Sequence, residues 1–319
     1  MLARCGLRQH EQPARPIFWS EHRNVRLTTS SLALIEQDNR LVLESIYGSH
    51  YLAYDPAARS LWLPRETVLS FPCTSLVSVW SPNGGPPNYS HWLLDVLPRL
   101  ALLHELPPET VIVVPARLAG YQLETLKMLG LEHRIRCTPE THLRVREFYF
   151  LSPTAMVVCY NPYAVAWLRD RFLPFADKRY QGPKRFFMAR DHFRGLQNET
   201  EVYSFFAALG WTIIRPEELP FAEELQLFAE AEAICGVIGS GFTNAIWCKP
   251  GAKIIQLIPE TVLDGSTEWI CRVNQLEFHY LVCPADHRVS SKVDLTKLRE
   301  LLSRAGLAEP GLDCSRKGR

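Results

Sequence analysis

The sequence lacks the charge blocks and metal-ligand clusters that place many chains in a functional class at first sight. Lysine and arginine number 35 against 34 for aspartate and glutamate, and like charges form no block along the 319 residues. A nucleic-acid partner or a strongly acidic partner is therefore not expected. The nine cysteines are scattered singly without a C-x-x-C pair, and no histidine cluster has metal-ligand spacing. These absences argue against a zinc site and a disulfide framework and favour a reducing compartment.

Long apolar runs are also missing. No stretch reaches the roughly 20 apolar residues that a membrane span requires. The basic N-terminal stretch MLARCGLRQHEQPARP has no apolar run behind it, so a signal peptide is not expected. We expect the protein to act in the cytosol.

What the sequence does contain is enough apolar material for two α/β domains. The hydrophobic fraction is 47%, and 319 residues exceed the usual size of one domain. Runs such as LALI, LVLESIY and SLWL in the first 75 or so residues predict small antiparallel strands, and SPNGGPPN predicts a loop. Beyond this loop, helical and strand patterns alternate, which is typical of a parallel sheet with helices on both faces. We expect domains of residues 1–180 and 181–319 that face each other across a cleft.

The alternation is clearest in the second half. RFFMAR, WTIIRP, ICGVIG and KIIQLIP predict strands, as VIVVP and EFYFLS do earlier in the chain. NETEVYSFFAALG predicts a helix with Asn198 as its N-cap, Glu201 three positions later and Gly210 at its end.

The stretch ICGVIGSGFTN predicts a buried strand that ends at Gly239 and turns through Ser240 and Gly241 into a helix near Phe242. Glycines let a ligand approach the backbone, and the N–H groups and dipole of a helix start favour an anion. Because ligands of open parallel sheets lie outside the carboxyl ends of the strands, we expect a phosphate near Ser240 to Asn244. An ordinary tight turn is the alternative, since neither a third glycine nor a Walker-type lysine follows.

Two arginines are predicted at the same edge of the sheet. Arg190 and Arg194 belong to the stretch MARDHFRGLQNE, which follows a strand and precedes the helix that starts near Asn198. A diphosphate fits two guanidinium groups beside a helix start, and Glu199 would accept hydrogen bonds from a sugar hydroxyl. The alternatives are solvated surface arginines and a favourable first-turn acid.

The apolar stretch NYSHWLLDVLPRL, residues 88–100, carries three ionisable groups four residues apart. On a helix, His91, Asp95 and Arg99 form a polar ridge. With Asn88 or Ser90 as the cap, the first two of these groups lie in the first turns, where loops and ligands meet.

A structural interpretation of this ridge is also open. Asp95 would then pair with Arg99 while His91 only packs, because ion-pair networks imitate functional sites. A metal site is less favoured, since no third ligand has suitable spacing. Pro98 is expected to kink the helix or to open one backbone hydrogen bond.

These stretches resemble three ordered signatures of glycosyltransferase family 61, over roughly residues 75–260. The matching segments are NYSHWLLDVLPRL, ARDHFRGLQNETEV and EELQLFAEAEAICGVIGSGFTNAIWCKPGAKIIQLIPE. The resemblance implies a GT-B architecture, in which two Rossmann-like domains face each other, and a nucleotide-sugar donor, commonly UDP-linked, in the C-terminal domain. It also implies inversion at the anomeric carbon without an obligatory metal or other cofactor. The absence of any D-x-D sequence agrees with this.

The family motifs map onto particular residues of this chain. Those on the donor side are Arg190, Arg194, Asn198, Glu199, Gly239, Ser240, Gly241, Thr243 and Asn244. His91, Asp95 and Arg99 fall on the N-terminal motif. The chain departs from the pattern at Ile238, where the family has histidine, and at Glu224, where glutamine is usual.

The expected function is metal-independent, inverting transfer of a sugar from a UDP-linked donor to a hydroxyl of a glycan or lipid-linked saccharide. We expect Asp95 to act as the general base, with His91 orienting it or contacting the donor, and the two roles could be exchanged. The protein would work at the inner face of the membrane. The alternative is a non-catalytic nucleotide-sugar or glycan-binding protein of the same fold. An NAD-dependent oxidoreductase is disfavoured, because no G-x-G-x-x-G fingerprint follows an early strand.

Overall fold

A computed structural model describes residues 17–28, 34–42, 45, 67–75, 88–115, 118–139, 142–156, 159–177, 179–190, 195–262, 264–286 and 290–308. The chain divides into two compact units, Met1–Phe172 and Leu173–Arg319. The sequence places the boundary slightly later, after residue 180. In the described part of the chain, no helix has the length and apolar character needed to cross a membrane.

The described part of the first unit contains a mixed sheet of seven strands in the order β2-β1-β7-β4-β5-β6, with β3 also pairing with β7. The strands are β1 (Trp19–Thr28), β2 (Leu34–Ile35), β3 (Thr67–Leu69), β4 (Cys73–Ser75), β5 (Val111–Pro115), β6 (Ile135–Thr138) and β7 (His142–Leu151). A small antiparallel pair, β8 (Ala155–Met156) and β9 (Cys159–Tyr160), follows. The strands predicted from VIVVP and EFYFLS are confirmed.

The strand directions correct one prediction. β1 pairs antiparallel with β2 and β7, as expected for the first 75 residues. β3 and β4 instead run parallel to β7, and β4 also runs parallel to β5. Their partners come later in the chain, so an alternating local pattern could not indicate the pairing direction. The run SLWL, most of LVLESIY and the loop at residues 81–87 lie outside the described residues.

One long helical segment runs over residues 89–105 of the first unit. It begins as α1 (Tyr89–His91), widens into a π-helix (Trp92–Val96) and tightens into a 3₁₀ helix (Leu97–Glu105). The other helices are α2 (Gly120–Met128), a 3₁₀ turn (Glu132–Arg134) and α3 (Pro162–Phe172). We call the segment Tyr89–Glu105 the first helical segment.

The described part of the second unit contains a sheet of five parallel strands in the order β11-β10-β12-β13-β14. They are β10 (Arg185–Met188), β11 (Thr212–Ile214), β12 (Ala233–Val237), β13 (Lys253–Pro259) and β14 (Glu277–Cys283). The chain first moves outward from β10 to β11 and then returns to place β12 on the other side of β10. This reversal creates a topological switch point between β10 and β12, where open α/β sheets bind their ligands.

Helices cover both faces of this sheet, as the alternation in the sequence predicted. They are α4 (Glu199–Ala208), α5 (Phe221–Ala229), α6 (Ser266–Val273), α7 (Leu295–Arg304) and 3₁₀ helices at Leu173–Phe175, Pro216–Glu218 and Ser240–Trp247. Alternate strand residues face opposite ways. Phe187 belongs to the cluster that contains Phe206 of α4 and Leu298 of α7, whereas Phe186 packs edge-on against Phe228 of α5 at 5.3 Å between ring centroids. All five residues of β12 are buried, which explains its unbroken apolar run.

Asn198 occupies the N-cap position of α4, as predicted, but its side chain makes no capping hydrogen bond to the helix backbone. Its amide Nδ2 donates to the Val293 carbonyl at 2.9 Å, and its Oδ1 accepts from the Val293 N–H at 3.0 Å. The end of α4 is as predicted, because Gly210 has a φ of 76° and donates its N–H to the Ala207 carbonyl. The amide of Asn198 therefore joins α4 to the segment that leads into α7, a contact 95 residues away in sequence.

Replacing Asn198 with serine distinguishes these two roles. Serine is a good N-cap, so a capping residue would tolerate the change. Serine has one oxygen on a shorter side chain in place of the two amide atoms that reach the Val293 carbonyl and N–H. We therefore expect the free energy of unfolding to fall by about 1 to 2 kcal/mol in urea denaturation. Asn198→Asp, which retains only the acceptor, should also be destabilising. An unchanged stability in Asn198→Ser would restore the capping interpretation.

Candidate active site

The first helical segment is fixed at its start by contacts with α2. Asn88 caps it as predicted, with Oδ1 accepting the N–H of Ser90 at 2.9 Å. Tyr89 packs edge-on against Tyr121 at 5.1 Å between ring centroids, and burial raises the pKa of Tyr121 to about 12. Trp92 is fully buried and donates its indole N–H to Thr125 Oγ1 at 3.0 Å.

Pro98 explains the change of helix type that follows. A proline has no N–H, so the carbonyl four residues earlier, that of Leu94, has no α-helical donor. Thr154 supplies the missing donor, because its hydroxyl lies 2.8 Å from the Leu94 carbonyl oxygen and 3.3 Å from that of Asp95. Upstream, Leu97 donates to the Trp92 carbonyl in the wide π pattern. The predicted opening of a backbone bond is confirmed.

Asp95 and Arg99 form a buried ion pair in this region. Arg99 Nη2 donates to Asp95 Oδ1 at 2.9 Å, and Arg99 Nε donates to the Asp95 carbonyl oxygen at 2.7 Å. Asp95 is 2% exposed and Arg99 is fully buried. Buried charges require partners of this kind. His91, one turn earlier, is only half-buried, and it is the more accessible of the two groups considered as a base.

In the second unit, Arg190 and Gly239 meet at the switch point between β10 and β12. Arg190 follows β10, and its Nη1 donates to the carbonyl oxygen of Ile238, after β12, at 2.9 Å. A Cβ atom placed on Gly239 would lie 1.7 Å from Arg190 Nη1. The guanidinium therefore crosses the space that any other side chain at position 239 would occupy. The prediction that an arginine and the glycine turn share this sheet edge is confirmed for Arg190, whereas Arg194 lies outside the described residues.

The turn continues into a short 3₁₀ helix, Ser240–Trp247, at the place where the sequence predicts a helix. Ser240 and Gly241 are partly exposed, whereas Thr243 and Asn244 are buried, with Asn244 fully inaccessible. Asn244 Nδ2 donates to Glu224 Oε2 at 3.2 Å, and Asn244 Oδ1 accepts from Trp247 Nε1 at 2.9 Å. The backbone at the start of the helix is thus the part of the turn most accessible to a ligand.

The remaining predicted donor residues have protein partners. Glu199 Oε1 accepts the hydroxyl of Tyr203 at 2.6 Å and remains half-buried. The amide of Asn198 bonds to the Val293 backbone, as described above. Within the described residues, no group of three or more His, Cys, Asp or Glu side chains is placed to hold a metal ion.

A cavity of about 410 Å³ opens elsewhere in this unit, at the amino edge of the sheet. Its lining includes Lys184 and Lys249, which pair with Glu232 and Glu230 respectively. Ligands of open parallel sheets bind at the carboxyl edge, so the candidate site is the turn at Gly239 rather than this cavity.

A family model decides between the candidate classes. The model described as Glycosyltransferase 61 matches residues 89–255, just over half of the 319 residues. The chain belongs to glycosyltransferase family 61. No curated protein matches it. The match includes the first helical segment, Arg190, the glycine turn and β12, so this glycosyltransferase carries the family region on both units.

Several residues of the site were not found by sequence reasoning. Thr154 is one, because it reaches the first helical segment from 60 residues away. Asn274 is another, since its amide donates to the carbonyls of Ala245 and Ile246 at 3.3 and 3.1 Å. Trp247 was detectable in principle, because it lies three residues after Asn244 and the side chains at i and i+3 eclipse on a 3₁₀ helix.

The two departures from the family pattern have different environments. The Ile238 side chain is 1% exposed and belongs to the apolar core of the second unit. Its carbonyl, rather than its side chain, takes part in the site through Arg190. Glu224 is 7% exposed and faces Asn244 beneath the turn.

Gly239→Ala tests whether Arg190 depends on the missing side chain. The added methyl group must displace the guanidinium from the Ile238 carbonyl, so we expect a loss of about 0.5 to 1.5 kcal/mol in urea unfolding. Adding Arg190→Ala should then cost less than it does in the original chain, because Gly239→Ala has already broken the bond to the Ile238 carbonyl.

Gly241→Ala is the matched control for stability. A Cβ atom there meets only Met188 Sδ, at 3.9 Å, so the free energy of unfolding should change by less than about 0.5 kcal/mol. Full additivity of Gly239→Ala and Arg190→Ala would show that the two residues are independent.

Proposed function

We propose that this glycosyltransferase transfers a sugar from a UDP-linked donor with inversion and without a metal ion. The observation that carries the proposal is the position of Arg190, which is held over Gly239 at the switch point of a doubly wound parallel sheet. A cation and a glycine turn at this edge suit a diphosphate. The two-domain GT-B architecture implied by the resemblance remains part of the proposal.

The donor side has to stabilise a leaving group. As the bond between the anomeric carbon and the diphosphate oxygen breaks, negative charge grows on the departing UDP. Arg190, Arg194 and the backbone N–H groups from Ser240 onward would stabilise this charge and take the place of a divalent cation. Glu199 is the candidate contact for a sugar or ribose hydroxyl. The buried Thr243 and Asn244 would support the turn from below.

The acceptor side has to remove a proton. The acceptor hydroxyl forms the new bond to the anomeric carbon from the face opposite the leaving group, and its proton passes to a general base. We propose His91 for this role, because Asp95 is nearly inaccessible and its Oδ1 is bound to Arg99. Asp95 as the base, the assignment expected from the sequence, remains the competing one. The acceptor would be a hydroxyl of a glycan or lipid-linked saccharide, used in the cytosol at the inner face of the membrane.

Ile238 gives some weight to a second candidate, nucleotide-sugar binding without transfer. An aliphatic residue buried in the core cannot supply the contact that the family histidine makes. The loss of that contact would change the sugar specificity of an active enzyme or would accompany a loss of catalysis. Release of UDP from the donor, with and without acceptor saccharides, distinguishes the two.

Thermal unfolding in the presence of different nucleotide sugars tests the identity of the donor. A ligand at 100 times its Kd stabilises the folded state by about 2.7 kcal/mol. We expect UDP and UDP-linked xylose or N-acetylglucosamine to raise the unfolding temperature, and to do so equally in EDTA. Shifts with GDP or CMP sugars only would refute the UDP assignment. A shift abolished by EDTA would refute metal independence.

Separate substitutions of His91 and Asp95 test the base. We expect His91→Ala to lower turnover by about 10² to 10⁴-fold, the usual contribution of a general base, while UDP still binds. Asp95→Asn leaves the buried Arg99 without its counter-charge, so it should lower the free energy of unfolding by about 1.5 to 3 kcal/mol. The turnover per folded molecule of Asp95→Asn should remain at the level of the original chain. The reverse result, in which Asp95→Asn unfolds normally but does not turn over, would make Asp95 the base.

A further inference from the structure

Glu224 is a carboxylate in the apolar stripe of α5. The residues of this stripe are Phe221, Glu224, Leu225 and Phe228, all buried. Glu223, the neighbouring acid, is exposed on the other side of the helix. A carboxylate is costly to bury unless a hydrogen bond compensates it, so the position of Glu224 calls for a partner with a defined geometry.

The partner is Asn244, and its amide can be oriented in only one way. An indole N–H is a donor only. Because Trp247 Nε1 donates to Asn244 Oδ1 at 2.9 Å, the Nδ2 group of Asn244 faces away from the indole and donates to Glu224 Oε2 at 3.2 Å. Phe221 completes the contact, with its ring edge-on to Trp247 at 6.0 Å between centroids. The hydrogen bonds therefore run in one direction, with Trp247 donating to Asn244 and Asn244 donating to Glu224.

This chain of hydrogen bonds holds the middle of the 3₁₀ helix. The entrance of the helix is held by the bond from Arg190 to the Ile238 carbonyl. Its exit is held by Asn274, which donates to the Ala245 and Ile246 carbonyls. The first residues, Ser240 and Gly241, are left partly exposed on a support that is fixed at three places.

We propose that Glu224 is a positioning residue, which sets the glycine turn for the donor diphosphate by accepting from the Asn244 amide. The inference builds on the proposed function and assigns Asn244 to the support of the turn rather than to direct donor contact. A site that stabilises developing charge requires donors held in place before the reaction, and supporting hydrogen bonds provide this. What position 224 must supply is an acceptor, and glutamine also has one.

A polarity swap tests this assignment with little change in side-chain volume. Asn244→Asp places a carboxylate oxygen against the Glu224 carboxylate, and we expect the Kd for UDP to rise by at least about tenfold. Adding Glu224→Gln to Asn244→Asp reverses the hydrogen bond, because the new amide donates to the new carboxylate. The Kd of this double variant should return to within about threefold of the original chain. The Kd for UDP of Glu224→Gln alone should also stay within about threefold of the original value. Glu224→Ala, which removes the acceptor, should raise this Kd by about tenfold.

Hydrogen exchange gives a second measurement that requires no donor. The amides of Ser240 to Asn244 should exchange about tenfold faster in Glu224→Ala and Asn244→Asp, and at the original rate in the double variant. Glu223→Ala is the matched control on the same helix turn and should change neither exchange nor UDP affinity.

The possible results separate this inference from the proposed function. Failure of the original chain to bind UDP would refute the proposed donor, while exchange would still decide the role of Glu224. If the amides of Ser240 to Asn244 exchange as fast in the double variant as in Asn244→Asp, the positioning role is overturned. Equal acceleration in Glu223→Ala would do the same, since it would indicate a general loosening of α5.

Discussion

The candidate donor site depends on one hydrogen bond, from the guanidinium of Arg190 to the carbonyl oxygen of Ile238. It links the ends of β10 and β12, the two strands between which the direction of the sheet order reverses. The bond exists only because residue 239 has no side chain. The φ of Gly239 is 171°, an extended value open to any residue, so space rather than backbone conformation requires glycine here. An arginine whose position is fixed in this way is available to an anion at little further cost in side-chain entropy.

Both units place departures from the α-helix beside their functional candidates. In the first unit a π turn surrounds Asp95, and in the second a 3₁₀ helix follows Gly239. The first depends on Pro98 and on a hydroxyl that replaces its missing donor. The second brings Asn244 and Trp247 into line, because three residues complete one turn of a 3₁₀ helix. Irregular helices of these kinds often mark functional sites.

The sequence predicted the frame of the second unit well and the details of the site less well. Strands such as ICGVIG and KIIQLIP were recognisable because strands buried on both faces have continuous apolar runs. The partnership of Arg190 with the glycine turn followed from parallel strands sharing one edge. Asn198 was predicted at its position but not with its side-chain partner, since an asparagine at the start of a helix usually bonds to the helix backbone, and only the fold brings Val293 within reach. The pair Asp95 and Arg99 left two interpretations, and it took the burial of both side chains to favour the ion pair over the base.

The hydroxyl of Thr154 has a consequence for the order in which the first unit folds. A regular helix closes its hydrogen bonds between near neighbours, so it can form before the rest of the chain is in place. The turn around Asp95 cannot, because Pro98 removes the α-helical donor to the Leu94 carbonyl, which accepts instead from a residue 60 positions further on. The final shape of this turn is therefore acquired only when the chain beyond β7 docks against it. The geometry around Asp95 would then arise late, as a product of tertiary assembly rather than of local helix formation.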